Sequence, residues 1–496
     1  MKTINNILEK ILFHPVNARI AYDFTATFLL SGFYWLVFIY SHQAIFSLIL
    51  IFFFPILLVS VAYLLGIYSY QKLAKVRIKA LLLFLSVFVS GVLVFRYSTT
   101  TPEVFTLLSM LSIMLVLPRI FLSVHQYTPK SHDLLKNTID AIQIDKKPIL
   151  VAGGAGYIGS HLVEQLLQSG KRVRVFDKFL FGKESLEKFS KNKNLELIEG
   201  DVSNIFELTQ AVKDCSAIVH LSGIVGDPAC SIDPALTRHN NTVSTRMLID
   251  AALAFKVPRF IFASSCSVYG LSDKIVNEAS DLNPVSLYAQ TKIDSEQELL
   301  RHTHDNFHPT ILRFATVFGH SNRMRFDLVG NLFTAQAFES GNLTVTGDDQ
   351  WRPFIHVSDI AKAIALVLDA PIQQVSLQIF NVGSDHLNET IGGLAKRVVK
   401  IVKTKNGKKA KISIIKNQDD KRNYSVSFAK IKKVLGFVPT VSFEIGIKET
   451  YQFFKQGVYK YHYTNEIYSN LLTTKLLKTE FDSKEYRATH YSIMGE

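Results

Sequence analysis

The sequence predicts an α/β protein with a doubly wound parallel sheet and a smaller C-terminal lobe, preceded by four transmembrane helices. Two observations predict this architecture. From residue 148 onward, short apolar strands alternate with helical stretches, and repeated βα units of this kind build parallel sheets. Before residue 125, four long apolar runs follow one another. We therefore expect an anchor at 1–125, a linker at 126–147, an α/β domain at 148–457 and a tail at 458–496.

The overall composition hides this division. The chain has 496 residues, a formal net charge of +13 and a mean hydropathy of +0.17. Hydrophobic residues make up 48% and charged residues 20%, which excludes disorder over most of the chain, because disordered segments combine low hydrophobicity with high charge. Three cysteines in so long a chain also exclude a disulfide scaffold.

The four apolar runs cover residues 20–40, 44–68, 80–97 and 104–124. Each is close to the length needed to cross a bilayer, which takes about 20 helical residues. Buried helices of a large soluble protein would show a polar face, and a cleavable signal peptide would end at a small-residue cleavage site. The runs have neither feature, so the sequence predicts a membrane region.

Lysine and arginine residues set the predicted orientation. They precede the first run and crowd the second connection, at Lys72, Lys75, Arg77 and Lys79, whereas the first and third connections are nearly neutral. Because positively charged loops stay in the cytoplasm, the N-terminus and everything after the fourth run are predicted to be cytoplasmic. We expect a multi-pass protein of the cell (inner) membrane whose α/β domain works in the cytoplasm with its cysteines reduced.

A glycine-rich turn joins the first predicted strand, residues 148–152, to a helix. Glycines stand at Gly153, Gly156 and Gly159. This spacing permits a tight turn, close approach of a pyrophosphate to the backbone and close packing of the helix, whose free N–H groups then face the phosphates. Placed between a strand and a helix, the triplet is typical of dinucleotide-binding proteins.

An acidic residue follows at the end of the second predicted strand, residues 172–176. Asp177 lies about 20 residues after the glycines, where a carboxylate can bond the ribose hydroxyls of the adenine nucleotide. The same carboxylate repels a 2′-phosphate, so NAD is favoured over NADP. Further strands are predicted at 195–199, 217–221 and 260–263.

Seven further segments carry a resemblance to a known family. They are Gly200-Asp201-Val202, 220–223, 264–270, 288–292, Leu312-Arg313-Phe314, 352–359 and 380–383. With the glycine loop, they make residues 148 to about 457 resemble the extended short-chain dehydrogenases/reductases of the nucleotide-sugar epimerase/dehydratase family. The resemblance implies a Rossmann core that binds NAD and a C-terminal substrate lobe. It also implies cofactor contacts at Gly153, Gly156, Tyr157, Ile158, Gly159, Asp177, Asp201, Val202, Leu221, Tyr288 and Lys292.

Tyr288 and Lys292 stand four residues apart, so a helix places them on one face. A neighbouring ammonium and a positive nicotinamide ring both favour the phenolate and would bring the Tyr288 pKa down from about 10 toward working pH. Tyr288 could then take the proton of a sugar hydroxyl while hydride leaves the same carbon for NAD. The resemblance assigns these catalytic roles, adds a bond from Lys292 to the nicotinamide ribose, and has Ser265 hydrogen-bond the reacting oxygen of the substrate.

The residues after Ser265 separate the branches of this family. Sugar 4,6-dehydratases that resemble it carry Asp-Glu there, which supply the acid and base for water loss, whereas this chain has Cys266 and Ser267. A dehydratase is therefore disfavoured, and epimerisation or keto-reduction is preferred. Some related epimerases use a cysteine acid/base, but it would align with Ser267, so Cys266 is interpreted first as a packed thiol.

The resemblance places Asn331, Arg352 and Arg422 where similar proteins bind the nucleotide-sugar diphosphate, and a guanidinium suits phosphate oxygens. An exposed arginine without a ligand stays the alternative for Arg422. Two departures leave the substrate open. Pro353 replaces the usual aspartate, and Thr316 stands where many UDP-sugar epimerases have an asparagine.

Other features narrow the range of partners. The lysines between 396 and 416 lack the interleaved aromatic residues and motifs of nucleic-acid binding, so a basic face beside an anionic membrane is favoured. No metal site is predicted, because His302, His304 and His308 have no cysteine or acidic partners at ligand spacing. The tail at 458–496 carries no assignable motif.

Together these features predict a membrane-anchored, NAD-dependent nucleotide-sugar epimerase, expected as a homodimer, that works through a 4-keto intermediate. A faint resemblance of the apolar runs to the membrane region of bacterial polysaccharide-biosynthesis sugar dehydratases, carried mainly by Leu65-Gly66-Ile67-Tyr68, implies surface polysaccharide synthesis. Two alternatives stay open: an epimerase or reductase acting on a lipid-linked sugar diphosphate, and a non-catalytic NAD-binding scaffold of a glycan-assembly complex.

Overall fold

A computed structural model describes residues 147–302, 306–415 and 422–481. Its strands are, in chain order, β1 (Ile149–Ala152), β2 (Val173–Asp177), β3 (Leu195–Glu199), β4 (Ala217–His220), β5 (Arg259–Ser265), β6 (Leu271–Val276), β7 (His308–Phe314), β8 (Thr316–Phe318), β9 (Asn342–Thr346), β10 (Trp351–His356), β11 (Gln378–Val382), β12 (Asn388–Thr390), β13 (Lys411–Ile415) and β14 (Asn423–Val426). The five strands predicted between residues 148 and 263 are confirmed as β1 to β5, with ends that shift by two residues at most.

The α-helices are α1 (Gly159–Gln168), α2 (Ile205–Val212), α3 (Asp227–Ile232), α4 (Pro234–Arg238), α5 (Ser244–Ala254), α6 (Leu287–Arg301), α7 (Val329–Glu339), α8 (Val357–Asp369), α9 (Ile372–Val375), α10 (Ile391–Ile401), α11 (Ala429–Leu435), α12 (Phe443–Lys455) and α13 (Asn470–Phe481). A π-helical turn, His239–Val243, leads into α5, and a 3₁₀ turn, Cys266–Tyr269, follows β5.

Seven strands form the predicted parallel sheet, in the order β11-β7-β5-β4-β1-β2-β3. The central strands are apolar and buried along their whole length, as parallel strands covered on both faces must be. Ile149 on β1 pairs with Val173 on one side and with Ala217 on the other. The strand order therefore reverses between β1 and β4, and this switch point is where doubly wound sheets bind ligands.

Helices cover both faces of this sheet. On one face, Leu162 and Val163 of α1 pack with Ile360 and Ile364 of α8. On the other face, α2, α5 and α6 contribute Leu208, Leu248 and Leu299 to a separate cluster. The doubly wound architecture that the alternating pattern predicts is thus present in the described chain.

The second lobe is built from small sheets and three helices. Its sheets have the orders β12-β10-β8, β13-β9 and β14-β6, so each joins segments that are far apart in the sequence. Phe333 of α7, Leu394 of α10 and Phe443 of α12 meet in its core. The rings of Phe318 and Phe443 pack with their centroids 5.2 Å apart.

Part of the segment predicted as a separate tail belongs to this folded domain. Tyr459 and Tyr468 pack against the core of the second lobe, and α13 buries Leu477 and Phe481 against α3 and α4. Among residues 147–302, 306–415 and 422–481, no helix combines the length and apolarity needed to cross a bilayer. The four apolar runs and the linker up to residue 146 lie outside the described residues.

Candidate functional site

A cavity of about 340 Å³ opens at the carboxyl ends of the sheet strands, beside the switch point. Its walls come from the glycine loop, the ends of β2, β4 and β5, the start of α6, the loop after β8 and α13. The structure therefore brings together segments that lie hundreds of residues apart in the sequence.

The glycine loop fits a pyrophosphate because its backbone has no room for side chains. Gly153 has a φ of +83°, and a Cβ there would lie 2.7 Å from the backbone N of Ser222. A Cβ on Gly159 would lie 2.3 Å from the carbonyl oxygen of Gly153. Among the described residues no side chain caps the start of α1, where N–H groups can bind an anion, although that of Ser160 already donates to the carbonyl oxygen of Gly156. Gly156, Tyr157 and Ile158 complete this wall of the cavity.

Two aspartates stand at the ends of the next strands. The Asp177 carboxylate accepts hydrogen bonds from the backbone N of Ala155 (3.0 Å) and of Phe179 (2.9 Å), and burial raises its pKa against the effect of these bonds. Asp201 pairs with Lys178 at 3.0 Å. Burial acts to raise the Asp201 pKa, but Lys178 and Ser203 outweigh it and hold this pKa below its usual value. Both aspartates line the cavity, as do Val202 and Leu221.

The three predicted catalytic residues meet at the floor of the cavity. Tyr288 and Lys292 lie on the first turns of α6, and Ser265 ends β5 and hydrogen-bonds to Tyr288. The Lys292 ammonium donates to the carbonyl oxygen of Ala263 at 2.8 Å and lies 5.8 Å from the centre of the Tyr288 ring. This arrangement is the one that their spacing and the family resemblance predict.

Burial dominates the acid–base properties of this group. It lowers the pKa of Lys292 from 10.5 to about 8 and raises the pKa of the Tyr288 phenol well above 10. The hydrogen bond from Ser265 opposes the second shift, whereas Lys292 is not among the main influences on Tyr288. Lowering of the Tyr288 pKa therefore requires a further positive charge beside the ring, which an oxidised nicotinamide carries.

Cys266 and Ser267 face opposite ways. The Cys266 side chain is buried, its thiol donates to the carbonyl oxygen of Arg313 at 3.3 Å, and burial raises its pKa. It does not line the cavity. Ser267 does, and its buried hydroxyl has no hydrogen-bond partner within the described chain. The interpretation of Cys266 as a packed thiol fits this geometry.

Two residues predicted to bind substrate do not reach the cavity. The Asn331 side chain is 1% exposed, accepts from the backbone N of Gly319 and donates to the Tyr157 hydroxyl and the carbonyl oxygen of Arg325. Arg352 donates to the carbonyl oxygens of Trp351 and Arg422 and to the Gln350 side chain. In this structure both side chains are occupied in holding loops of the second lobe, and their contact with substrate stays a prediction.

Arg422, the third of these predicted residues, does line the cavity. Its guanidinium lies 2.8 Å from a carboxylate oxygen of Asp227, which stands on the opposite wall at the start of α3. The other carboxylate oxygen of Asp227 is buried and has no hydrogen-bond partner among the described residues. An ion pair between Arg422 and Asp227 thus lies on the cavity wall.

Sequence reasoning missed several residues of the cavity wall. Asp227 comes from the start of α3, and Arg323 and Arg325 come from the loop after β8, whose direction no local pattern reveals. Asn470, Thr473 and Leu477 come from α13. The helical spacing of Leu472, Leu476 and other apolar residues between 470 and 481 was a signal for a packed helix, but not for its position on the cavity.

Comparison with known proteins agrees with this geometry. Residues 149–383 match the NAD dependent epimerase/dehydratase family. UDP-glucuronic acid decarboxylase 1 of Xenopus tropicalis is 27% identical over 323 residues, which cover 63% of this chain and 73% of that protein. UDP-glucuronate 4-epimerase of Thermodesulfobacterium geofontis (strain OPF15) is also 27% identical over 323 residues, covering 62% of this chain and 96% of that protein.

The fold is similar to that of the UDP-glucuronic acid 4-epimerase from Bacillus cereus, solved in complex with UDP-glucuronic acid and NAD. The TM-score is 0.57 and the sequence identity 27%, over 63% of this chain and 100% of that one. The glycine loop without room for side chains and the carboxylate at the end of β2 fit the same cofactor. The chain is thus an NAD-dependent enzyme whose residues 149–383 match the NAD dependent epimerase/dehydratase family.

Proposed function

We propose that this protein is a nucleotide-sugar 4-epimerase that oxidises C4 of the sugar to a ketone and reduces it again from the opposite face. One observation carries the proposal: Ser265, Tyr288 and Lys292 meet on the cavity, and the neighbouring side chain that faces the same space is Ser267 rather than a carboxylic acid. Ser265, Tyr288 and Lys292 can support oxidation of an alcohol and reduction of the resulting ketone, whereas elimination of water needs an additional acid.

Each residue of the set has a distinct task. Ser265 orients the C4 oxygen by hydrogen bonding, and the Tyr288 hydroxyl exchanges a proton with that oxygen. Lys292 is held by the carbonyl oxygen of Ala263 with its ammonium 5.8 Å from the centre of the Tyr288 ring, and an oxidised nicotinamide adds the positive charge that favours the phenolate. When bound, NAD supplies the hydride acceptor and, after oxidation of the sugar, the hydride donor.

The charges at the entrance support a diphosphate-linked substrate. Arg422 and Arg325 both line the cavity, and guanidinium groups bind phosphate oxygens in a bidentate manner. Because Arg422 is paired with Asp227 in this structure, an incoming diphosphate competes with that carboxylate. UDP-sugars are the first donors to test, since the decarboxylase and the epimerases similar to this chain are named for UDP-glucuronate.

The four apolar runs are the basis for a proposed location. Their length and loop charges favour a multi-pass anchor in the cell (inner) membrane with the enzyme on the cytoplasmic side, in the synthesis of a surface polysaccharide. The same runs favour a second candidate substrate, a lipid-linked sugar diphosphate, because an anchored enzyme is held beside such a lipid. A homodimer stays a prediction, to be checked by light scattering of the detergent-purified protein.

The decisive experiment follows products rather than the cofactor. The full chain, purified in detergent with NAD, is incubated with UDP-glucuronate, UDP-glucose, UDP-N-acetylglucosamine and a polyprenyl diphosphate sugar, and the products are identified by NMR. We expect one donor to be converted to its C4 epimer without net change in NADH. Net consumption of added NADH would establish a reductase instead. Product from the lipid donor alone would select the second candidate substrate.

A further inference from the structure

Within the residues that the structure describes, Arg323 is a buried cation that forms no ion pair. It lies in the loop after β8, is 8% exposed and lines the cavity. Its guanidinium carbon lies 3.8 Å from the centre of the Phe181 ring, so the aromatic face fixes the plane of the guanidinium. One of its terminal nitrogens, Nη2, is buried and has no hydrogen-bond partner in the part of the chain that the structure describes.

Leaving a guanidinium unpaired in the interior is costly. A buried charge is normally paired, because loss of hydration is not otherwise compensated. Burial and the neighbouring Arg325 lower the Arg323 pKa from 12.5 to about 9. Arg325 itself is satisfied, since it forms two hydrogen bonds of 2.9 and 3.0 Å with Asp327. Of these two adjacent cavity arginines, only Arg323 retains an unused donor aimed at a buried space.

The neighbours of Arg323 identify which part of the cavity it serves. Phe181 follows β2 and lies four residues after Asp177, the residue expected at the adenine ribose. Asp177 and Tyr157 both act on the Arg323 charge, after Arg325 and Asp327, and Ser321 of the same loop donates to the carbonyl oxygen of Tyr157 in the glycine loop at 2.8 Å. Tyr288, at the reacting end, is influenced instead by Arg325. Arg323 therefore belongs to the cofactor half, near the glycine loop.

We propose that Arg323 binds the pyrophosphate of NAD from the side opposite the glycine loop, with Phe181 as its stacking platform. The glycine loop offers backbone N–H groups to one side of the pyrophosphate, and the free Nη2 group of Arg323 offers a charge-assisted donor to the other. The cofactor thereby neutralises a cation that the protein alone leaves unpaired. The chemical class of ligand is a dinucleotide diphosphate, and the substrate's diphosphate is bound elsewhere, by Arg422 and Arg325.

The test compares the effect of one substitution on NAD affinity with its effect on the melting temperature of the nucleotide-free protein. Arg323→Met, in the full chain freed of bound nucleotide, is expected to weaken NAD binding by about 10-fold to 100-fold in calorimetric titration. Because it removes an unpaired buried charge, the same substitution is expected to leave the melting temperature of the nucleotide-free protein unchanged or higher. ADP-ribose, which keeps the pyrophosphate but lacks nicotinamide, should lose the same factor, whereas UDP affinity should not change.

Two further variants complete the design. Phe181→Leu keeps the volume but removes the aromatic platform, and should weaken NAD binding by a smaller factor than Arg323→Met. Arg397→Met, which removes an arginine paired with Glu389 and Glu444 on the protein surface, is the matched control and should leave NAD affinity unchanged. An unchanged NAD affinity in Arg323→Met, a lowered melting temperature of its nucleotide-free form, or a loss confined to UDP would each overturn the proposal.

Discussion

Asp177, Ser265 and Tyr288 in the nucleotide-binding half all face the cavity, whereas Asn331 and Arg352 in the C-terminal lobe are turned inward. Asp177 and Ser265 lie at the carboxyl ends of strands of the parallel sheet, and Tyr288 lies at the start of α6. Asn331 lies on the helix α7, and Arg352 lies on β10, a strand of a small sheet that joins segments distant in the sequence. Parallel strands thus direct several side chains to one edge, while in the lobe each polar residue is directed by its own loop contacts.

The largest effect is expected in the nucleotide-binding half. Tyr288→Phe removes the hydroxyl that exchanges a proton with the substrate, so kcat should fall by about 10²-fold to 10⁴-fold while NAD affinity stays within a few-fold. Single-turnover product formation followed by NMR measures this. Tyr451→Phe, on α12 and away from the cavity, is the matched hydroxyl deletion and should keep full activity. Retention of more than a tenth of kcat in Tyr288→Phe would show that Tyr288 is not the proton-exchanging group, whereas absence of product from every donor with the unsubstituted protein would favour the non-catalytic scaffold.

The buried ion pair that links α6 to β7 can be tested separately from the catalytic residues. Arg313 on β7 and Glu296 on α6 form an ion pair of 2.6 Å with both side chains only 3% exposed, and Ser264 also donates to Glu296. Glu296→Gln leaves the Arg313 charge buried without its partner, so the free energy of unfolding should fall by about 3–5 kcal/mol. Denaturant titration of the Glu296→Gln variant and of the unsubstituted protein measures this loss in the free energy of unfolding.

A neighbouring carboxylate provides the control for this pair. Glu298, two residues further along α6, pairs with Arg246 and Arg301, whose side chains are mostly exposed. Glu298→Gln should therefore cost no more than about 1 kcal/mol. Equal losses in the two variants would show that burial does not distinguish the pairs.

How much of the structure the sequence predicts also differs between the nucleotide-binding half and the C-terminal lobe. The strands β1 to β5 and the glycine loop could be predicted, because alternating strands and helices fix which ends meet at the switch point, whereas Ser265, Tyr288 and Lys292 are predicted from the family resemblance. The inward direction of Asn331 and Arg352 could not, because it depends on contacts across more than 60 residues of sequence.

The C-terminal segment shows a second limit. Leu477 and Phe481 are buried against Ile224 and Leu236, which precede them by more than 200 residues. The helix α13 closes one side of the cavity through these contacts, so its role depends on a surface formed elsewhere in the chain. The apolar spacing of this segment indicates a packed helix, but no local motif reveals the surface against which it packs.

Within the second lobe, one pair of substitutions separates residues of the cavity from residues of the interior. Arg422→Ala should raise KM for the nucleotide sugar by about 10-fold and leave the melting temperature unchanged, because Arg422 lines the cavity and is partly exposed. Asn331→Ala should lower the free energy of unfolding by about 1–3 kcal/mol and change KM little, because its buried hydrogen bonds are lost. Steady-state kinetics and denaturant titration on both variants test this. The reverse pattern would restore Asn331 as a direct substrate contact.

The smallest effect concerns the contact between the two halves. His161 of α1 hydrogen-bonds the carbonyl oxygen of His320 at 2.8 Å, and the His320 ring stacks on Phe453 and bonds the Tyr459 hydroxyl. Burial lowers the pKa of His320 from 6.5 to about 4; nearby Glu449 opposes the shift, while His161, His356 and Lys188 add to it. The folded protein therefore keeps this ring neutral down to about pH 4.

The sign of the pH dependence follows from this shift. Between pH 6.5 and 4 the unfolded chain binds a proton at His320 that the folded chain does not, so the free energy of unfolding falls with pH, by at most about 1.4 kcal/mol per pH unit. His320→Phe keeps the stacking on Phe453 but removes the titration, so its loss of stability between pH 7 and 5 should be shallower than that of the unsubstituted protein. Denaturant titrations across this range measure both slopes, with the exposed His462→Phe as control. Identical slopes in all three proteins would mean that this junction does not weaken on acidification, and that the two halves respond to pH as a single unit.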